Sequence, residues 1–279
     1  MAQGNKIEVK LFSSGFCTAH ARVVDPVNGK GKTKFEAVWA LLKHPEWGYL
    51  LFDTGYSERF TTATESFPER FYRWATPMTL PKGNSAIELL HKEGIAAEEI
   101  KYIIVSHFHG DHICGLLDFQ KAKFICTQTA FEQMKKVSGF SAVSKGILKK
   151  LIPGDFEKRV LFVEQISTLS KDASGLTIYH LFKDENLKMI LLPGHARGML
   201  GFIVEWRNGI LFYGTDAAWS RDTFLKKILP KKIVKLFFDS WNDFVDTQEK
   251  MRAFSKQNPE TTIVFTHCPE TIPYLENHV

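Results

Sequence analysis

Cysteine is scarce in this chain. There are four in 279 residues, Cys17, Cys114, Cys126 and Cys268, and none forms a C-x-x-C pair. So few in so long a chain argue against a disulfide scaffold. Long apolar runs are missing too, and none approaches the roughly 20 residues a membrane span needs. The opening Met-Ala-Gln-Gly-Asn-Lys has no apolar core of an export signal. A cytoplasmic protein with no membrane partner is the expectation. Charge of one sign is also in short supply. Thirty-six Lys and Arg against 31 Asp and Glu leave +5, which weakly favours an anionic partner without requiring one. With 44% hydrophobic and 24% charged residues, the composition is that of an ordinary globular protein, read as one domain over residues 1–279.

Histidine and aspartate supply what stands out. His107-Phe108-His109-Gly110-Asp111-His112 packs four metal-ligand side chains into six residues, directly after the apolar Tyr102-Ile103-Ile104-Val105-Ser106. In extended backbone alternate side chains share a face, so His107 and His109 point the same way. Gly110 allows the turn that brings Asp111 and His112 round. Three further candidates follow apolar strands in the same manner: His195 after Met189–Gly194, Asp216 after Ile210–Thr215, and His267 after Thr262–Thr266. Such strand ends are where sites are assembled in sheet proteins. Seven ligands exceed the four positions of one tetrahedral zinc. They suit two divalent ions, zinc first with iron or manganese as alternatives. His107, His109 and His195 are assigned to one ion, Asp111, His112 and His267 to the other, with Asp216 shared and the ions about 3.5–4 Å apart. Asp53, in the Asp53-Thr54-Gly55 turn, is assigned to fixing the tautomer of a ligand histidine; a plain turn-forming Asp is the competing reading.

The rest of the chain reads as alternating strands and helices. Strands are expected at Ile7–Phe12, Phe35–Leu42, Tyr49–Phe52, Lys123–Cys126, Leu176–Phe182, Lys188–Leu192, Leu200–Trp206, Ile210–Tyr213 and Thr262–Phe265. Arg207-Asn208-Gly209 reads as a tight turn. Helices are expected at Thr129–Lys136, from Asn84 or Ser85 to Gly94, and over Asp246–Lys256 with Asp246 and Glu249 as a capping box. Tyr56–Gly83 shows no periodicity, yet it is rich in aromatics, which argues for an ordered, lid-like insertion. Phe60, Phe67, Phe71 and Trp74 there are candidates for a pocket wall; pinning of the segment to the core or to a second subunit is the competing reading. His20, His44, His91, His180 and His278 fall outside the ligand pattern.

The ordered set Phe-Asp53-Thr-Gly, His107-x-His109-x-Asp111-His112, Pro-Gly-His195, Gly-Thr-Asp216 and Thr-His267 resembles the metallo-β-lactamase superfamily over nearly the whole chain. The resemblance implies an α/β protein, a four-layer αββα sandwich with its site on strand-end loops. Within that superfamily the chain is most similar to the N-acyl-homoserine lactonase group. That similarity rests on the 56–83 insertion, on Pro193-Gly194-His195-Ala196-Arg197-Gly198 and on Gly214-Thr215-Asp216-Ala217. One departure stands out. The group usually has Tyr three residues after the bridging Asp, where this chain has Trp219, a donor that cannot act as an acid as a phenol can.

The function expected is that of a dinuclear hydrolase acting on a lactone or related ester through a metal-bound hydroxide, with Asp111 carrying the proton to the leaving group. The alternatives are a phosphodiesterase or thioesterase of the same superfamily, or a metal-bearing regulatory or binding protein with little turnover. The first cluster and Ile113-Cys114-Gly115-Leu116 also resemble the phosphodiesterase branch that processes transfer RNA 3′ ends, and the basic run Lys226–Lys232 could contact phosphate. A small-molecule substrate is expected, a nucleic acid is not, and a homodimer is allowed.

Overall fold

A computed structural model describes residues 6–207 and 209–277. Met1–Asn5, Asn208 of the expected turn and His278 lie outside the described residues. Among the described residues thirteen strands form two mixed sheets. In the first sheet the order is β4 (Met78–Thr79), β1 (Glu8–His20), β2 (Lys32–His44), β3 (Gly48–Phe52), β5 (Ile100–Ile104), β6 (Lys123–Cys126), β7 (Val160–Phe162). In the second it is β13 (Thr261–Val264), β12 (Gly209–Tyr213), β11 (Leu200–Trp206), β10 (Leu187–Leu191), β9 (Thr177–Leu181), β8 (Ser167–Lys171). β3, β5, β6 and β7 run parallel, as do β12 and β13; the other pairs are antiparallel.

Strand alternation explains the layering. Leu50, Phe52, Ile104 and Ile125 meet Met189, Leu200, Phe202 and Tyr213 between the sheets. Their neighbours Leu51, Ile103 and Phe124 face the other way, onto Leu89, Leu90 and Phe131 of the helices Ala86–Lys92 and Gln128–Lys136. Ile190, Phe212 and Ile263 of the second sheet bury against Met251 and Phe254 of the helix Trp241–Gln257. The central strands are thus covered on both faces, which is why they read as near-continuous apolar runs. The result is the αββα sandwich.

Several elements depart from the sequence expectation. The first strand runs on from Phe12 to His20, through a bulge between Ser13 and Phe16. Gly15 sits there at φ +77, and a Cβ would lie 2.6 Å from the Thr79 carbonyl oxygen. Ser13-Ser14-Gly15 is therefore a kink that continues the strand, not its end. The last long helix begins at Trp241, capped by Ser240, whose hydroxyl accepts from the Asp243 N–H. Asp246 instead pairs with Lys250 one turn on, at 2.6 Å. Trp241 and Phe244 pack against Phe238, the first tilted and the second edge-on, and that aromatic cluster favours the earlier start. The 56–83 insertion holds the short helices Arg59–Ala63 and Arg70–Ala75, then β4, which pairs with β1. Ser85 caps the helix after it through Glu88, which accepts from the Ser85 N–H and hydroxyl at 3.1 and 2.6 Å.

Candidate metal centre

The C-terminal ends of β3, β5, β12 and β13 open on one edge of the sandwich, and the loops after them carry most of the singled-out residues. The Leu200 N–H donates to the Ser106 carbonyl at 3.0 Å, and the Tyr213 hydroxyl donates to the Val38 carbonyl at 2.8 Å. Those bonds tie the two sheets together at this edge.

His107, His109, Asp111, His112, His195, Asp216 and His267 surround one small space. Three overlapping groups have ligand atoms within 4.8 Å of one another: His107, His109 and His195; His107, His112 and Asp216; Asp111, His112 and His267. Asp216 faces several of them. Its Oδ2 lies 3.2 Å from His195 Nε2 and 3.1 Å from His267 Nε2, and its Oδ1 lies 3.4 Å from His112 Nε2.

A backing layer fixes three of the imidazoles. His112 Nδ1 donates to Asp53 Oδ2 at 2.8 Å. The Ser106 hydroxyl donates to the same Asp53 oxygen at 2.7 Å and lies 2.9 Å from His107 Nδ1, positioned to accept from it. His267 Nδ1 donates to the Glu36 carbonyl at 2.7 Å. With each Nδ1 engaged as donor, each Nε2 is turned toward the shared space, where that of His267 lies 3.1 Å from Asp216 Oδ2. Asp53 is fully buried at φ +61, an uncommon conformation for a residue other than glycine. It is held there by its N–H to the Ile104 carbonyl and by the Ser106 N–H to its Oδ1 at 2.8 Å. Behind the opposite wall Gly146 packs against the His109 ring, where a Cβ would lie 2.6 Å from Cδ2. Only glycine lets that ring sit so close.

Electrostatics divides the cluster in two. Burial pushes His107 well below the ordinary imidazole value, His109 to about 4 and His195 to about 3. These three are neutral, with lone pairs available at physiological pH. Burial opposes charge on His112 and His267 as well, but the Asp216 carboxylate, helped by Asp53 and Asp111 at the first and Asp111 at the second, raises both. Burial also works against the Asp216 carboxylate, yet His267, His112 and His195 hold it well below the usual range. Meanwhile His107 Nε2, His112 Nε2 and Asp216 Oδ1, all turned toward this space, are buried without a hydrogen-bond partner. Such groups are costly unless something satisfies them. Imidazole nitrogens and carboxylate oxygens left bare around one space fit divalent cations.

The space lies on the floor of a cleft of about 470 Å³. Its walls are mostly apolar: Phe35, Phe71, Trp219, Val234, Phe237 and Phe238. Of the four aromatics singled out in the insertion, only Phe71 lines it. Phe60 is buried in the core, edge-on to Tyr56 and Tyr72. Phe67 and Trp74 stand on the surface outside the lining. An alternation-free segment gives no facing, so sequence could not separate these cases. Trp219 does line the cleft, edge-on to His195 and Phe238, and its indole N–H has no partner. Tyr72 was missed as a site residue; its hydroxyl donates to Asp111 Oδ1 at 3.4 Å. Ser106 was missed as well, although a hydroxyl directly before the first ligand was a usable signal. Burial pushes the Cys17, Cys114 and Cys268 thiols up to about 12, which disfavours the thiolate form.

A family model described as the metallo-beta-lactamase superfamily matches residues 38–232, more than half of the chain. The chain belongs to the metallo-β-lactamase superfamily. Among curated members it is 27% identical to the N-acyl homoserine lactonase AttM of Agrobacterium fabrum (strain C58), over 68% of this chain and 66% of that protein. The chain thus spans about two thirds of that relative's length. It is 24% identical to the AttM of Rhizobium johnstonii over 94% of both. Among solved structures, an N-acyl homoserine lactone hydrolase with N-hexanoyl-L-homoserine bound at its catalytic metal centre superposes with a TM-score of 0.72. It has 17% identity and covers 96% of each chain, a likeness of fold. The superfamily and its lactonase relatives support a metal-dependent hydrolase.

Proposed function

We propose that this chain is a dinuclear metallohydrolase that opens a lactone or related ester bearing an apolar acyl group. One observation carries the reading: two ligand groups joined at Asp216 lie on the floor of an apolar cleft. His107, His109 and His195 would hold one cation, Asp111, His112 and His267 the other, with Asp216 between them and zinc the first candidate. When bound, such cations supply a Lewis acid and a water acidic enough to ionise near neutral pH.

The protein's own groups do the remainder. Asp53, Ser106 and the Glu36 carbonyl hold the imidazoles in register. Asp111 borders the cleft, with the Tyr72 hydroxyl on Oδ1 and His267 Nε2 at 3.3 Å from Oδ2. It is placed to take a proton from the attacking water and return it to the leaving oxygen. Trp219 stands where the lactonase group has a tyrosine and serves as a wall of the cleft, its N–H being buried. The apolar walls favour an acyl chain over a polyanion. Part of the basic run is already engaged, Lys226 with Asp222 and Lys227 with Glu249, which weakens the phosphodiester alternative. The insertion at 56–83 would serve as one wall of the pocket within a single domain. Four unpaired, buried cysteines suit a cytoplasmic home.

Turnover of acyl lactones, thioesters and phosphodiesters by metal-loaded protein tests this side by side, with lactones expected fastest. Asp111→Asn, assayed with metal in excess, should lower turnover by roughly 10²–10⁴-fold with the fold kept. Near-native turnover in that variant would remove the proton-carrying role, and phosphodiester preference would remove the ester reading.

A further inference from the structure

The cleft mouth carries more exposed apolar surface than an aqueous substrate site needs. On one lip Phe67, Phe71, Trp74 and Phe140 form a continuous ring cluster, with centroids 5.2 to 5.8 Å apart. These side chains are 43% to 68% exposed. On the other lip the short helix Lys232–Leu236 and the residue after it present Ile233, Leu236 and Phe237, 59% to 74% exposed. The two lips meet in the cleft, since Phe71 lines it from one side and Val234 and Phe237 from the other. Contiguous exposed apolar surface of this kind marks an interaction site.

Charge selects the partner. Lys231, Lys232 and Lys235 alternate with those apolar side chains and have no acidic partner among the described residues; Lys235 lies over the Trp241 ring. On the aromatic lip Arg70 and Arg73 are balanced in number by Glu65 and Glu69. The mouth as a whole is apolar and net positive, the pattern of a surface that inserts shallowly between anionic headgroups.

We propose that the mouth docks on an anionic lipid surface, through Leu236, Ile233 and Trp74 with Lys231, Lys232 and Lys235. The cleft then opens directly onto the layer where an amphiphilic, long-chain substrate partitions. This goes beyond the hydrolytic reading and does not depend on which bond the site breaks. It is a surface contact, since no helix among the described residues is long and apolar enough to cross a membrane.

Flotation of the full chain with vesicles tests it, with no hydrolysable substrate present. Vesicles of phosphatidylcholine mixed with phosphatidylglycerol should carry the protein, and vesicles of phosphatidylcholine alone should carry far less. Leu236→Ser should weaken binding about tenfold, the scale of one inserted leucine. Lys231→Glu with Lys232→Glu should weaken it by about tenfold or more. Both variants change exposed side chains, and an unchanged melting curve checks that they fold. The proposal falls if the protein stays with the aqueous phase, if it floats equally with neutral vesicles, or if the variants float like the parent. It also falls if light scattering finds a dimer that Leu236→Ser dissolves while vesicles bind nothing.

Discussion

The floor and the rim of the cleft obey opposite rules. On the floor, polar and ionisable groups are buried and almost every spare nitrogen or oxygen is either engaged from behind or aimed at one space. On the rim, large apolar rings stand in water with few partners. The floor is expensive to build, and its donor set is one that could hold cations. The rim contributes little to folding, so its composition reflects what meets it from outside. The same insertion spans both kinds of place: Tyr72 reaches down to Asp111, while Trp74, two residues on, points into solvent.

Four substitutions test that contrast. The largest effect is expected at Asp216, the side chain that faces both ligand groups. Asp216→Ala should abolish turnover and release most of the bound metal, read by metal analysis after dialysis; full metal retention would show that the groups are not joined there. Phe60→Ala comes next, because that ring is core despite its place in the insertion, and a loss of about 3–5 kcal/mol in unfolding stability is expected. Asp53→Asn keeps the side-chain shape and tolerates the positive φ, but it weakens the grip on His112 and Ser106. Metal affinity should fall about 10–100-fold with the fold intact, measured by competition with a chelator. Trp74→Ala should change unfolding stability by no more than about 0.5 kcal/mol. A large loss there would mean that the rim is part of the core, and the contrast would collapse.

Much of the floor is legible in the sequence. Histidines and aspartates directly after apolar strands are costly in a core and rare without a reason, so their residue types and spacing pointed to the edge where they now stand. Strand positions are legible for the same reason, since both-face burial leaves a run such as Leu200–Val204 free of charged residues. The start of the helix at Trp241 was not, because it depends on Ser240 and on aromatic packing with Phe238. Nor was the continuation of the first strand past Ser13-Ser14-Gly15, where a bulge resembles a turn until β4 lies alongside.

By itself the sequence determined the apolar strands, the ligand-type residues at their ends and the membership of the chain in its superfamily. Those features are local: each is a matter of which side chain follows which stretch of backbone. Tertiary structure alone decided which aromatic of the 56–83 insertion is core, which is cleft and which is rim. It also set Tyr72 beside Asp111, Ser106 between Asp53 and His107, and the Glu36 carbonyl behind His267. Facing and proximity between distant segments depend on how two sheets and an aperiodic segment pack together, and no spacing along the chain encodes that.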